Sequence, residues 1–409
     1  MFPIDVGSCR KLPEQADSYN ELGMFFSFAT VGATLGLLAW VYLALGHGGF
    51  WRAGKLLAPE ISPGLPELRV VAVVPARDEA DVVGRCVTSL LTQQGVNIVV
   101  ILVDDGSTDG TANVAREAAK AAGRAQQLTV FTGKPLPGGW SGKLWAVHQG
   151  VEVAEVLQPD FFLLTDADIE HAPRSVASLV SVAGAGPYDM ASFMVRLHCE
   201  SLPERLLVPA FVFFFFLLYP PAWIASSRRK TAGAAGGSML IRPEALRRAG
   251  GIAVIRKEVI DDCALARAVK GSGGTVWLGL ARKTESIRPY GTFAEIGSMI
   301  SRSAFNQLHH SALLLLLAVA GMTLIYLLPP LLAMFSFRLV PAALGGAAWL
   351  IMSICYWPIL RFYRLSPVWA LALPVVAVFY MGATLHSAWK YWLGRGGEWK
   401  GRVQDPAGG

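Results

Sequence analysis

Three groups of carboxylates are the residues best placed to do chemistry: Asp104-Asp105-Gly106-Ser107-Thr108-Asp109, Asp166-Ala167-Asp168 and Asp261-Asp262. Each follows or adjoins a segment that reads as a strand, and the carboxyl ends of strands in an open α/β sheet border the crevice where ligands bind. Two carboxylates one residue apart, Asp166 and Asp168, can share a hard cation (Mg2+ or Mn2+) with phosphate oxygens. Glu170 offers a further oxygen ligand, while His171 reads as a loop-shaping residue before Pro173 rather than a ligand. Asp262 is a candidate general base that takes the proton of an attacking hydroxyl. The bland alternative for Asp261 and Asp262 is a first helical turn favoured by the helix dipole. Gly233-Ala234-Ala235-Gly236-Gly237, followed by Ser238, lets a ligand approach the backbone closely, so Gly236, Gly237 and Ser238 are acceptor-binding candidates. The three clusters together suggest a site for a nucleotide diphosphate and its metal.

The elements that must position these residues read as alternating strands and helices. Residues 70–74 and Ile98 to Val103 are unbroken apolar runs, expected as strands buried on both faces. The first ends in Pro75-Ala76-Arg77-Asp78-Glu79, before a helix running to about Leu91. The second ends at Asp104-Asp105, with Ser107, Thr108 and Asp109 as N-cap candidates for a helix to about Ala122. Asp105 alone could be such a cap, but two adjacent carboxylates exceed what one cap requires. Leu128 to Phe131 and Phe161 to Leu164 are the next strands, separated by a helix from about Lys143 to Val156. The alternation predicts a doubly wound, largely parallel sheet.

With these motifs on the page, the chain resembles family 2 glycosyltransferases of the GT-A fold over about residues 68 to 290. The segment from Gly133 to Ala146, with Gly138-Gly139-Trp140-Ser141-Gly142-Lys143 at its centre, and the apolar C-terminus resemble the membrane-bound hopene-associated members most. Dolichyl-phosphate sugar synthases and ceramide glucosyltransferases are more distant relatives of the same kind. The resemblance implies an inverting, metal-dependent transfer from a nucleotide-sugar donor, UDP first and GDP next, to a lipid acceptor. In that scheme Pro75, Arg77, Glu79 and Asp105 hold the base and ribose, and Lys143 lies near the diphosphate. Asp168 is the principal metal ligand, Asp166 lies toward the sugar or ribose and joins the metal set, Glu170 matches a metal-ligand position, and Asp262 is the base beside Asp261. The Gln-x-x-Arg-Trp motif of processive synthases is replaced by Ser301-Arg302-Ser303-Ala304-Phe305-Asn306-Gln307, where Arg302 and Gln307 are the partial substitutes. That difference argues against a processive polymer synthase.

Composition fits a membrane enzyme: of 409 residues, 53% are hydrophobic and only 16% charged. The expected layout is an N-terminal tail (1–23), a transmembrane helix (24–47), a GT-A domain (66–300), a C-terminal transmembrane region (312–389) and a basic tail (390–409). Arg52, Lys55 and Arg69 follow the first span and place the catalytic domain in the cytoplasm, on the inner membrane. About 312–335, 339–360 and 368–389 are three apolar stretches, and three crossings would leave the cationic tail outside. One stretch is therefore split or re-entrant, as Pro329-Pro330 suggests, or the tail breaks the charge rule. The apolar segment 206–226 lies between Asp168 and Asp262, so it crosses an even number of times or not at all. An interfacial helix is the favoured reading, an ordinary core helix the alternative.

Five scattered cysteines show no metal-ligand spacing. The net charge of +6 suits anionic headgroups, and no nucleic-acid-binding motif is present. Gly142-Lys143 lacks the other residues of a phosphate-binding P-loop. Three readings follow: a glycosyltransferase acting on a lipid hydroxyl, such as a hopanoid or other isoprenoid; a polyprenyl-phosphate sugar synthase; and a non-catalytic membrane scaffold. The intact Asp105, Asp168 and Asp262 count against the last.

Overall fold

The structure, a computed structural model, describes residues 13–57, 68–394, 398–399 and 402–403. Most of the basic tail and the first twelve residues of the N-terminal tail lie outside the described residues. The centre is an eight-stranded sheet formed by β1 (Arg69–Ala76), β2 (Asn97–Asp104), β3 (Leu128–Thr132), β4 (Phe161–Leu164), β5 (Ile169–Glu170), β6 (Met190–Arg196), β7 (Met239–Ile241) and β8 (Val276–Ser286), in the order β3-β2-β1-β4-β7-β6-β8-β5. β1 is buried on both faces after its first residue because helices cover each side. Val70, Ala72 and Val74 pack with Val83, Val87 and Val176, while Val71 and Val73 pack with Leu144, Val147 and Leu265. Alternate side chains of one strand thus serve two cores.

The parallel register sets Ala76 opposite Asp104 and Asp104 opposite Thr132, so the carboxyl ends of β1, β2 and β3 are level. β1 to β4 keep the expected parallel order, and β6 and β8 also pair in parallel. β7 runs antiparallel to both β4 and β6, which corrects the largely parallel sheet to a mixed one. The reversal has a structural cause and a consequence. The connection from β6 returns through the glycine loop and enters β7 at the end where β4 leaves, with Met239 opposite Leu164. Gly236 to Ser238 therefore arrive at the same edge as Asp166. β8 in turn pairs antiparallel with β5, Ser286 opposite Ile169, and carries Ile287 and Arg288 past Asp168.

Among the described residues five helical segments are long and apolar enough to cross a membrane: Phe28–Leu45 within the helix Pro13–Leu45, Leu202–Ile224, Ala312–Phe335, Leu339–Phe362 and Pro367–Trp392. Their burial differs. Only 17% of the Phe28–Leu45 and Ala312–Phe335 windows is buried, against 61% for Leu202–Ile224. The helix Leu202–Leu218 lies between the sheet domain and the other apolar helices. Phe213 meets Phe50 and Tyr356 with ring centroids 5.2 Å apart in both cases, and Phe214 meets Tyr380 at 4.8 Å and Tyr326 at 5.5 Å. The Tyr380 hydroxyl donates to Leu207 O at 2.9 Å. Within Ala312–Phe335 the helix widens to a π turn over Thr323–Leu327, just before Pro329-Pro330. Pro329 has no N–H to offer the carbonyl four residues back, and the Trp40 indole N–H bonds Ile325 O at 2.8 Å in its place.

Candidate active site

The carboxyl ends of β1 and β2 are tied into one platform. Asp78, at φ +50°, accepts from Thr108 N–H at 2.8 Å, and its own N–H bonds the Ser107 hydroxyl at 3.0 Å. The Arg77 guanidinium donates to Asp105 O at 2.5 Å and lies 3.6 Å from the Asp105 carboxylate, which is almost fully buried. Asp104 accepts from Ser107 N–H at 2.9 Å. The N-cap position of the next helix is Gly110 rather than Ser107, Thr108 or Asp109; Asp109 instead accepts from Thr111 N–H at 3.0 Å. Asp105 is therefore not the cap of that helix.

Beside this platform opens a cleft of about 330 Å3 bordered by Pro75, Glu79, Ser141, Lys143, Asp166, Asp168, Glu258, Asp261, Arg288, Tyr290 and Arg302. Lys143 stands at its centre, with Nζ 2.8 Å from Asp166 and 3.0 Å from Asp261. Burial works against its charge, but the two carboxylates outweigh that and hold its pKa above the usual lysine range. Asp166 is shifted upward, first by burial and then by the charges of Asp168 and Asp261, with Lys143 opposing. Asp168 accepts from the Ser286 hydroxyl at 2.9 Å and lies 3.4 Å from Arg288 Nε. Arg288 also bonds Glu79, so one guanidinium joins the β1 loop to the Asp166–Asp168 turn.

Asp262 sits behind Asp261 and accepts from the N–H of Gly236 at 2.9 Å and of Cys263 at 2.6 Å. Burial and then the charge of Asp261 push its pKa up to about 6. A Cβ on Gly236 would lie 3.5 Å from Asp262 Oδ2 and 3.8 Å from Lys143 Nζ, so this glycine faces the site. A Cβ on Gly237 would meet Val195 at 3.0 Å, and Ser238 is fully buried, so these two answer to packing. Glu170 is turned to an ion pair with Arg85 on the surface. His171 is buried away from the cleft, 3.0 Å from Thr165 Oγ1, and burial lowers its pKa to about 3. The Thr165 hydroxyl donates to Gly237 O at 2.7 Å, which fixes the glycine loop.

Of the two residues in the segment that replaces Gln-x-x-Arg-Trp, Arg302 borders the cleft, whereas Gln307 accepts from the Tyr219 hydroxyl at 2.9 Å. Arg288, Tyr290 and Ser286 carried no motif in the sequence. Arg288 meets Glu79 across 209 positions of chain, and only the turn after β8 brings them together. Among the described residues no three His, Cys, Asp or Glu side chains cluster closely enough to hold a metal by themselves. Asp166 and Asp168 nonetheless fit a cation whose remaining ligands are diphosphate oxygens, because Mg2+ is commonly bound by one or two carboxylates plus substrate phosphates.

Residues 71–262 match the Glycosyl transferase family 2 profile. An uncharacterized protein of Methanocaldococcus jannaschii is 31% identical over 122 residues, 30% of this chain and 44% of that one. The undecaprenyl-phosphate 4-deoxy-4-formamido-L-arabinose transferase of Aeromonas hydrophila subsp. hydrophila is 34% identical over 110 residues, 27% of this chain and 31% of that one. The chain thus spans less than half the length of either relative. Among solved structures, the mannosyltransferase PcManGT of Pyrobaculum calidifontis, in complex with GDP-Man and Mn2+, superposes with a TM-score of 0.50 at 17% identity. That alignment covers 88% of this chain and 99% of that one, a likeness of fold. Together with the mixed sheet and its carboxylate-lined edge, these matches identify residues 71–262 as a family 2 glycosyltransferase domain built on the GT-A fold.

Proposed function

We infer that this domain carries out an inverting, metal-assisted transfer of a sugar from a nucleotide-sugar, UDP-linked in the first instance, to a lipid acceptor at the membrane surface. The observation that carries this reading is the cleft in which Lys143 bridges Asp166 and Asp261 beside Asp168, with Asp262 directly behind Asp261, held by Gly236 N–H and pushed upward in pKa by burial and by the charge of Asp261. In the transfer, the acceptor hydroxyl oxygen forms the new bond to the anomeric carbon as the bond from that carbon to the diphosphate oxygen breaks. The hydroxyl proton passes to Asp262, and the nucleoside diphosphate leaves.

Pro75, Arg77, Glu79 and Asp105 would take the nucleoside end, and Lys143 and Arg288 would face the diphosphate. Asp166 and Asp168 would hold a divalent cation, which would supply charge compensation for the leaving diphosphate. Glu170 would join that set only by releasing Arg85. The apolar helices on the Leu202–Leu218 side support a membrane-lipid acceptor. A hopanoid or other isoprenoid alcohol is what the family resemblance implies, and Arg52, Lys55 and Arg69 after the first span support a catalytic domain on the cytoplasmic face of the inner membrane.

A second reading, transfer to a polyprenyl phosphate, is favoured by the name of the Aeromonas relative and by the Arg302 cation at the cleft. One assay separates the two. Detergent-purified protein is incubated with UDP- and GDP-sugars, with and without membrane lipid extract, in Mg2+, Mn2+ or EDTA. Turnover should need both lipid and metal. Loss of turnover in Asp262→Asn supports the hydroxyl acceptor, and its survival supports the phosphate, which needs little base catalysis. Failure of any nucleotide-sugar to bind the folded protein would refute both.

A further inference from the structure

The helix Leu202–Leu218 does more than contact the apolar helices: its N-terminus holds the backbone of a residue that borders the donor cleft. Glu204 is 1% exposed, yet its carboxylate accepts four hydrogen bonds. The donors are the Tyr290 N–H at 2.7 Å and His198 Nδ1–H at 2.8 Å on Oε1, and the Ser201 and Glu200 N–H groups at 2.8 and 2.9 Å on Oε2. Ser201, which caps the helix, donates its hydroxyl to Tyr290 O at 3.1 Å. Both backbone polar groups of Tyr290 are therefore engaged by the first residues of one helix. Tyr290 follows Arg288 by two residues, and both face the cleft.

A helix cap needs only the Ser201–Glu204 exchange, the capping box. The bond from Tyr290 and the bond to it are additional, and they join segments 86 and 89 positions apart. The same helix is locked further along by Tyr380 to Leu207 O and by Phe213 against Tyr356. The geometry points to Glu204 as a positioning residue: it fixes the turn Ile287–Gly291, and with it Arg288 and Tyr290, in the register that receives the nucleotide-sugar diphosphate, and so couples donor binding to the seating of the membrane-side helix. The role of Arg288 in this statement rests on the proposed glycosyltransferase reaction; the fixing of the turn does not.

Two measurements on the full-length protein in detergent keep these apart. Hydrogen exchange reads the turn directly. In Glu204→Ala, peptides covering 287–292 should exchange at least about tenfold faster while those from β1 and β2 keep their protection. Ser201→Ala, which leaves the carboxylate in place, should give a smaller change in the same peptides. Donor kinetics read the coupling. Glu204→Ala should raise the KM for the nucleotide-sugar about tenfold or more with the acceptor KM unchanged, and Glu204→Gln should recover part of the loss because its carbonyl oxygen can still accept from Tyr290. Unchanged exchange at 287–292 overturns the proposal, and so does faster exchange with an unaltered donor KM. If the wild-type protein neither binds nor turns over a nucleotide-sugar, the proposed reaction fails, and the coupling falls with it, while the exchange result still decides whether Glu204 fixes the turn.

Discussion

The Lys143 ammonium lies 3.0 Å from the Asp261 carboxylate, joining the first turns of two helices that border the cleft, Gly142–Glu155 and Asp261–Gly271. A cation in a first helical turn opposes the helix dipole. Here Asp261 and Asp166 offset that cost, and the cation is placed where a diphosphate would need it.

Replacing Lys143 with Met should therefore cost more in activity than in stability. The three side chains are partly exposed, so the loss in unfolding free energy should fall between the surface and buried ranges, roughly 1–3 kcal/mol. Nucleotide-sugar turnover should drop by about 100-fold or more if the charge stabilises the leaving diphosphate. Chemical denaturation in detergent and initial rates check the two parts separately.

Asp262 gives two pH dependences of opposite sign. As a base it works ionised, so kcat/KM for a hydroxyl acceptor should rise through about pH 6 and level off above it. Its folded pKa stands above the ordinary 3.8, so the folded state binds that proton more tightly than the unfolded one. The stabilisation is full below about pH 3.8 and is lost as pH rises through about 6. A pH–rate profile and a pH series of melting temperatures measure the two.

The neighbouring glycines should respond differently to one added methyl. Gly236→Ala adds a Cβ at ordinary contact distance from Asp262 and Lys143, so the protein should fold normally and lose acceptor affinity at unchanged donor affinity. Gly237→Ala presses on Val195 and Ile169 and should lower stability by about 1–3 kcal/mol. Thermal unfolding with donor and acceptor KM values distinguishes them.

Arg288→Lys should behave as a large change despite keeping the charge. A single ammonium cannot reproduce the planar fork that reaches both Glu79 and Asp168. Donor affinity measured by direct binding should fall about tenfold or more.

The parallel half of the sheet was legible in the sequence because its strands are apolar on both faces and end in polar turns. Observed β1, β2, β3 and β4 extend the expected runs by two residues or fewer at either end. The other half was not. β7 has only three residues and follows a glycine loop, and β5 has two, too few for any period to show. The direction of β7 depends on the path of forty-odd residues after β6, which no local pattern encodes. The site divides the same way. Asp166, Asp168 and Asp261 announce themselves as paired carboxylates in short motifs, whereas Arg288 and Tyr290 matter only because β8 ends beside Asp168. Glu204 was hidden for a further reason: a lone acid at the start of an apolar helix looks like a cap until its partner 86 positions away is known.

The rings of Phe213 and Phe214, set against Phe50, Tyr326, Tyr356 and Tyr380, bear on how this protein can be handled. A fragment trimmed to residues 68–300 would keep the whole sheet but uncover these two phenylalanines together with the carbonyl of Leu207. Contiguous apolar surface of that kind drives self-association. Cutting away the apolar helices should yield aggregate rather than a soluble enzyme, because the catalytic domain ends inside the aromatic joint and not above it.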